Sequence, residues 1–281
     1  MHNKQIKPFL RWAGGKQWLA NRLSKLLQAC SGTYFEPFLG GGSVYFSAMP
    51  RSAVLSDLNE RLIETYQQLR DTPHQLIALL GQWNNDENTY YRIREAKSDD
   101  AVYRAAQFIF LNRTCWNGLY RVNLKGYFNV PFGNHGRPVF DKQNLLYTSE
   151  ALQSAELHHA DFERVLARAR EHDCVYLDPP YTSPHHRNGF HHYNEIRFTW
   201  NDQERLARTA ASLADRGCCV IVSNTDHESV LDLYPGFHYQ RVHRHSILAA
   251  SPEYRRPTTE LLLTSDDKLS RLIDRGVAVP A

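Results

Sequence analysis

Asp178 ends an almost wholly apolar run, "CVYLD" (174–178), and is followed by Pro179, Pro180 and Tyr181. A proline in the next position keeps the aspartate out of helical backbone, and the proline pair stiffens the turn. The product is a rigid platform on which Asp178 and the Pro179 carbonyl form two fixed acceptors, with Tyr181 as a flat wall. Such a set suits an exocyclic amine on a planar base: each N–H meets an acceptor and the ring stacks on tyrosine. That amine is a poor nucleophile because its lone pair is conjugated with the ring. A carboxylate that accepts its hydrogens frees the lone pair and stabilises positive charge growing on nitrogen. The plainer reading of the same residues is a proline turn that closes a strand.

Two glycine-bearing stretches could hold a second reactant. "FEPFLGGGS" (35–43) reads as a strand, a glycine turn and a helix start, where bare backbone approaches a ligand and N-terminal amides favour polar or anionic groups. It completes neither nucleotide fingerprint, since Tyr45 replaces the last glycine of Gly-x-Gly-x-x-Gly. In "RWAGGKQ" (11–17), Leu10 stands where a phosphate loop needs its first glycine and Gln17 follows the lysine. A paired glycine beside Lys16 still suits a loop closing over an anionic group such as a carboxylate, whereas Trp12 could equally be a core anchor. Asp57 ends the next strand, "SAVLSD" (52–57), where an acid accepts hydrogen bonds from a ribose diol or caps the following helix.

From Ala101 to Phe140 there is no Asp or Glu, while Arg104, Arg113, Arg121, Lys125 and Arg137 alternate with Trp116, Tyr120, Tyr127, Phe128 and Phe132. Basic side chains among aromatics suit phosphate contacts, base-edge readout and stacking.

These residues need a scaffold. "TYFEPF" (33–38), residues 52–57, 174–178 and "CCVIVS" (218–223) read as strands, the last two covered on both faces. A helix starts at Ser43, Asn59 caps another running to about Arg70, and residues 202–217 form a helix ending on Gly217. This βαβ rhythm predicts an open, mostly parallel sheet. Residues 60–140 interrupt it with helices capped at Asp86 and Asp99 and with a hairpin, residues 117–133, turning at Asn123 to Gly126. The 281 residues fit one large domain with a sizeable core, or one domain carrying a smaller insert. Net charge is only +3, so a nucleic-acid partner needs a local patch. Five cysteines (Cys30, Cys115, Cys174, Cys218 and Cys219), odd in number and without a Cys-x-x-Cys pair, point to a reducing interior. With no membrane-length apolar run and no signal-type h-region in the first residues, the expected location is the cytoplasm.

"RWAGGK", "FEPFLGGGS", Asp57, "LNRTCWNGLYRVNLKGYFNVPFG" (111–133) and "YLDPPY" (176–181), in that order, resemble the Dam-type DNA adenine-N6 methyltransferases of the alpha group, over roughly residues 7–264. The resemblance implies a Rossmann-like α/β core that binds S-adenosylmethionine, formed by residues 1–59 and 141–281. Residues 60–140 would be a mainly helical target-recognition insert carrying a β-hairpin. Trp12 and Lys16, with Ala13, Gly14 and Gly15 between them, would hold the methionine end of the cofactor. Glu36, Pro37 and the turn from Phe38 through Gly40 to Gly42 would lie under it, Asp57 would take its ribose, and Asp161 and Phe162 in "ADF" its adenine. Asp178, Pro179, Pro180 and Tyr181 would be catalytic, with Asp178 also at the cofactor.

On the DNA side the resemblance matches Arg121 to an arginine that reads guanine and lays Leu119 and Pro131 against bases. Trp116 would fill the gap left by the flipped base, and Arg113, Asn117, Asn123 and Asn129 would touch phosphates. Arg11 replaces what is commonly a lysine near the DNA. The implied activity is methylation of N6 of a flipped adenine in duplex DNA, within GATC, without a metal or an obligate protein partner. Cytosine-N4 methylation and an inactive DNA-binding relative are the alternatives. Two stretches depart from the pattern. "TSPHHRNGFHHY" (182–193) is histidine-rich, a poor metal cage that reads as a mobile lid. Residues 244–262 lack the usual Gly/Asn character, which bears on outer-base recognition.

Overall fold

The computed structural model describes residues 6–27, 31–118, 120–123, 126–133, 140–182, 198–245 and 257–266. Helix α1 (Gln17–Leu27) precedes β1 (Tyr34–Glu36), α2 (Ser43–Ala48) and β2 (Ala53–Asp57). Next come α3 (Glu60–Asp71), α4 (Pro73–Leu80), α5 (Glu87–Glu95) and α6 (Ala101–Thr114). The chain returns through α7 (Lys142–Leu152), β3 (Ala155–His159), α8 (Phe162–Leu166) and β4 (Cys174–Leu177). It ends in α9 (Trp200–Asp215), β5 (Cys219–Thr225), α10 (Glu228–Leu231), β6 (His238–His245) and β7 (Pro257–Thr264).

The seven strands form one sheet in the order β3-β2-β1-β4-β5-β7-β6. The first five are parallel, and β7 runs antiparallel between β5 and β6. Register puts Tyr34 beside both Ala53 and Cys174, so β1 is central and the strand order reverses next to it. Side chains alternate between two apolar clusters. Tyr34, Leu55, Tyr176 and Ile221 face one helical layer, while Phe35, Val54, Val175 and Val220 face the other. Burial on both faces explains why these strands read as continuous apolar runs.

The first cluster continues from the sheet through α3 into α4, α5 and α6, by way of Leu62, Tyr66, Leu76, Tyr90 and Ile109. Asn59 caps α3 by accepting the Leu62 amide, and Asp86 caps α5 by accepting the Thr89 amide. The cap of α6 is Asp100 rather than the expected Asp99, because its carboxylate reaches the Val102 amide. Helix α9 starts two residues before the expected Asp202: Thr199 caps it and Asp202 answers in a reciprocal capping box. The first strand is shorter than "TYFEPF", since the chain turns after Glu36 to bring Pro37 and Phe38 over the sheet edge. The hairpin is present as a Val122–Phe128 antiparallel bridge closed by the Gly126 amide on the Asn123 carbonyl. Among the described residues no helix is long and apolar enough to cross a membrane.

Candidate active site and recognition surface

Three carboxylates follow one another along the carboxyl edge of the sheet: Glu36 on β1, Asp57 on β2 and Asp178 just past β4. Open parallel sheets place ligands at this edge, where the strand order reverses. Asp178 Oδ1 accepts a hydrogen bond from Ser223 Oγ at 2.8 Å and pairs with Lys16 Nζ at 3.0 Å. The Tyr176 and Ser223 hydroxyls lie 2.9 Å apart, so Ser223 is itself held. Burial lifts the Asp178 carboxyl above its ordinary range, opposed by the charge of Lys16 and the bonds from Lys16 and Ser223.

The proline platform is braced from behind. Gln203 Nε2 donates to the Pro180 carbonyl at 3.2 Å, and Asn224 Nδ2 holds Gln203 Oε1 at 3.1 Å. The Tyr181 hydroxyl donates to Glu260 Oε2 at 2.8 Å. Lys16 Nζ lies 3.5 Å from that same carboxylate and 4.6 Å above the Tyr181 ring centre. Lys16 therefore sits inside the Asp178–Tyr181 cluster, and its ammonium also donates to the Gly14 carbonyl at 3.1 Å.

On the neighbouring strands, Glu36 is buried and accepts the Tyr34 hydroxyl at 2.8 Å. Burial pushes its pKa up to about 8, with the Tyr34 bond pulling the other way and the charges of Asp178 and Asp57 adding to the rise. Asp57 anchors backbone at the start of α3 and at the glycine turn: one oxygen accepts the Asn59 amide at 2.9 Å, the other the Gly40 amide at 3.0 Å. Burial raises its carboxyl despite those two amides. Gly40 has φ +47°, and a Cβ there would lie 2.7 Å from Trp12 Cδ1, so only glycine fits. Phe38 packs against Phe162 at 5.6 Å and Phe198 at 5.7 Å between ring centres. Asp161 caps α8 and takes both terminal nitrogens of Arg205, at 3.0 and 2.9 Å.

Trp12 stacks on Tyr120 at 5.6 Å and on Phe108 at 6.4 Å, so its ring joins the glycine turn to α6 and the hairpin. Arg11 is gripped through its backbone: its amide donates to Asn112 Oδ1 and its carbonyl accepts from Asn112 Nδ2, both at 2.8 Å. The Arg11 side chain runs across Gly118, where an added Cβ would lie 2.3 Å from Arg11 Cδ. On the hairpin Arg121 Nε donates to Asn129 Oδ1 at 2.7 Å, which fixes the direction of the guanidinium. Asn123 Oδ1 accepts the Tyr127 amide at 3.1 Å, and Trp116, whose amide bonds to the Pro131 carbonyl, is more than half exposed. Asn117 adopts φ +56° beside it.

Residues 12–247 match the family of D12 class N6 adenine-specific DNA methyltransferases. The chain belongs to that family. A DNA adenine methylase of Vibrio cholerae serotype O1 is 35% identical over 274 residues, covering 95% of this chain and 99% of the relative. A type II methyltransferase of Lactococcus lactis subsp. cremoris is 34% identical over 271 residues, 92% of this chain and 95% of the relative. The DNA adenine methylase of Escherichia coli strain K12 is 35% identical over 229 residues, 79% of this chain and 82% of the relative. The protein is thus an adenine-N6 DNA methyltransferase, an enzyme that takes a methyl group from a donor and acts on DNA.

Within this methyltransferase, the structure brings Asp178, Tyr181 and Lys16 together and lines up Glu36 and Asp57 beside them. Three members of the cluster, Ser223, Glu260 and Gln203, carry no sequence motif. Their signal is a polar residue inside an otherwise apolar strand or helix face. Arg104 leaves the basic set, since its guanidinium is tied to Glu64 on α3 and to the Asp99 carbonyl. Leu119, Lys125, Arg137, Cys30 and the histidines 185, 186, 191 and 192 lie outside the described residues, as does most of the 244–262 stretch.

Proposed function

We propose that this enzyme transfers the methyl group of S-adenosylmethionine to N6 of an adenine turned out of duplex DNA, within GATC. In this reading residues 1–59 and 141–281 form the catalytic domain and residues 60–140 the recognition insert. The observation that carries it is the half-buried Asp178 carboxylate at the carboxyl end of β4, held by Ser223 and Lys16 beside the Tyr181 ring.

The donor set suits that cofactor. Carboxyl groups on adjacent strands suit a cationic sulfonium and ammonium, whose nearby charge favours their ionised form. Asp57 offers acceptor capacity for a ribose diol, and Phe38 with Phe162 offers a flat wall for a purine. S-adenosylmethionine supplies a methyl group already activated by a sulfonium, so no metal is called on.

Asp178 and the Pro179 carbonyl would accept the N6 hydrogens and free the nitrogen lone pair, and Asp178 would take up the surplus N6 proton. Bound S-adenosylmethionine would supply the electrophilic methyl group and keep the electron pair of its S–C bond on sulfur. Tyr181 offers its face to the base, which offsets part of the few kcal/mol that unstacking costs. Arg121, aimed by Asn129, makes paired hydrogen bonds to a guanine of the site. Sequencing of plasmid DNA from cells expressing the protein tests the base and the site together. Methyl groups on N6 of adenine in GATC are expected, and methylation of another base or sequence would refute the corresponding part.

A further inference from the structure

Glu260 is an expensive residue where it stands. It is 3% exposed, and Leu261, Leu262 and Leu263 follow it into the core. A buried carboxylate is tolerated only when it is paired, and a well-packed apolar side chain is often the more stable choice. Strand β7 places Glu260 opposite Thr225 at the carboxyl end of β5, level with the Asp178 platform. Its contacts there include the Tyr181 hydroxyl at 2.8 Å and Lys16 Nζ at 3.5 Å.

The groups bearing on Asp178 come from five directions. Lys16 approaches from the loop before α1, Glu36 from β1, Tyr176 from β4 and Ser223 from β5, while Glu260 with Tyr181 closes the β7 side. Lys16 lies between two carboxylates, so its charge is shared rather than spent on Asp178 alone. Glu260 thereby adds a negative charge beside the Lys16–Asp178 pair. A positive charge developing on an amine is stabilised better with that added charge than without it.

We propose that Glu260 is a positioning residue for methyl transfer: it holds the Tyr181 wall by its hydroxyl and shares Lys16, adding a negative charge beside Asp178. This rests on the reading of Asp178 as the group that receives the adenine amine. Glu260 acts through Tyr181 and Lys16, and it touches neither reactant.

The test compares wild type, Glu260→Gln, Glu260→Asp and Asp178→Ala in single-turnover methylation of a duplex across pH, with melting curves and DNA titrations alongside. Gln keeps an acceptor for the Tyr181 hydroxyl and removes only the charge. Its rate should fall roughly 10-fold, the factor equivalent to one pKa unit. Loss of a neighbouring negative charge favours the ionised form of Asp178. The acidic limb of the rate profile should therefore move down by about one pH unit, at the low end of what a nearby charge produces. DNA affinity should stay within about twofold, since the charge acts on the transition state. Glu260→Asp keeps the charge, so it should lose rate with its acidic limb in place. An acidic limb that stays put in Glu260→Gln, or that moves equally in Glu260→Asp, overturns the proposal. If the Gln variant does not fold, the Asp variant decides: an unmoved limb with reduced rate supports the charge role and a shifted limb refutes it. Asp178→Ala separates the two layers, because activity surviving there removes the active-site reading itself.

Discussion

Asn112 makes the strongest claim about how the start of the sequence is joined to α6, and it is open to a direct stability measurement. It lies on α6 with no exposed surface and holds the backbone of Arg11, 101 residues away, through two hydrogen bonds of 2.8 Å. A third, longer bond reaches the Gly118 carbonyl at 3.4 Å. Asn112→Ala removes all three and orphans the Arg11 amide and carbonyl. Each bond contributes about 0.5–1.5 kcal/mol, and a buried group left unsatisfied costs about 1–3 kcal/mol. Arg11 is half-buried, so water recovers part of that cost, and a net loss of roughly 2–4 kcal/mol is expected. Urea denaturation followed by circular dichroism should show a lower midpoint with an unchanged slope. Asn112→Asp keeps the acceptor for the amide but turns an acceptor toward the Arg11 carbonyl, so it should be worse than alanine at neutral pH. A midpoint for Asn112→Ala within about 0.5 kcal/mol of wild type, the range of an ordinary surface change, would refute the clamp.

Glu36 makes stability depend on pH in the free protein. Its folded pKa of about 8 lies above the ordinary 4.5, so the native state binds the extra proton and stability falls as pH rises between those values. Its contribution to the slope should approach about 1.4 kcal/mol per pH unit and should be missing from Glu36→Gln, which keeps the slopes of Asp57 and Asp178; an equal slope in both would place the titration elsewhere. Asp57→Ala should weaken S-adenosylmethionine binding by roughly 1–3 kcal/mol while DNA affinity without cofactor hardly changes. Calorimetry showing unaltered cofactor affinity would leave Asp57 as the anchor of the Gly40 and Asn59 amides only. Arg121→Ala should relax preference at one base pair by ~1–3 kcal/mol, read on a panel of single-substituted duplexes, and an equal loss on every duplex would make it a phosphate anchor.

Much of this was legible because the strands announce themselves. Sheet strands covered on both faces leave uninterrupted apolar runs, and "CVYLD" and "CCVIVS" are β4 and most of β5 for that reason. Caps were legible too, since Asn59 and Asp86 precede amphipathic stretches. The Asp99–Asp100 pair was ambiguous by one residue, and only the distance to the Val102 amide decides it. What stayed hidden are contacts set by register. Nothing in "RRPTTELLLT" marks Glu260 as a neighbour of Tyr181 until β7 is seen to run antiparallel beside β5. Arg104 misled for the same reason. A basic residue in an acid-free stretch reads as a DNA contact, but its partner Glu64 lies on a different helix.

The segment from Arg11 to Lys16 shows why a short motif near the start of the sequence can govern the whole site. Arg11 is clamped by Asn112 of α6 and lies across Gly118 at the head of the hairpin. One residue on, Trp12 closes over the glycine turn at Gly40 and stacks on Tyr120. Four further on, Lys16 reaches Asp178 and Glu260. Arg11 and Lys16 are this close in sequence because the hairpin, the glycine turn and Asp178 converge in space. The turn of Gly14 and Gly15 makes the reversal that lets both ends of the segment be used, with the Gly15 amide on the Trp12 carbonyl and Gly14 at φ +80°. A bulky residue at Gly14 would strain that left-handed backbone, and Lys16 would lose the carbonyl that fixes its ammonium between the two carboxylates.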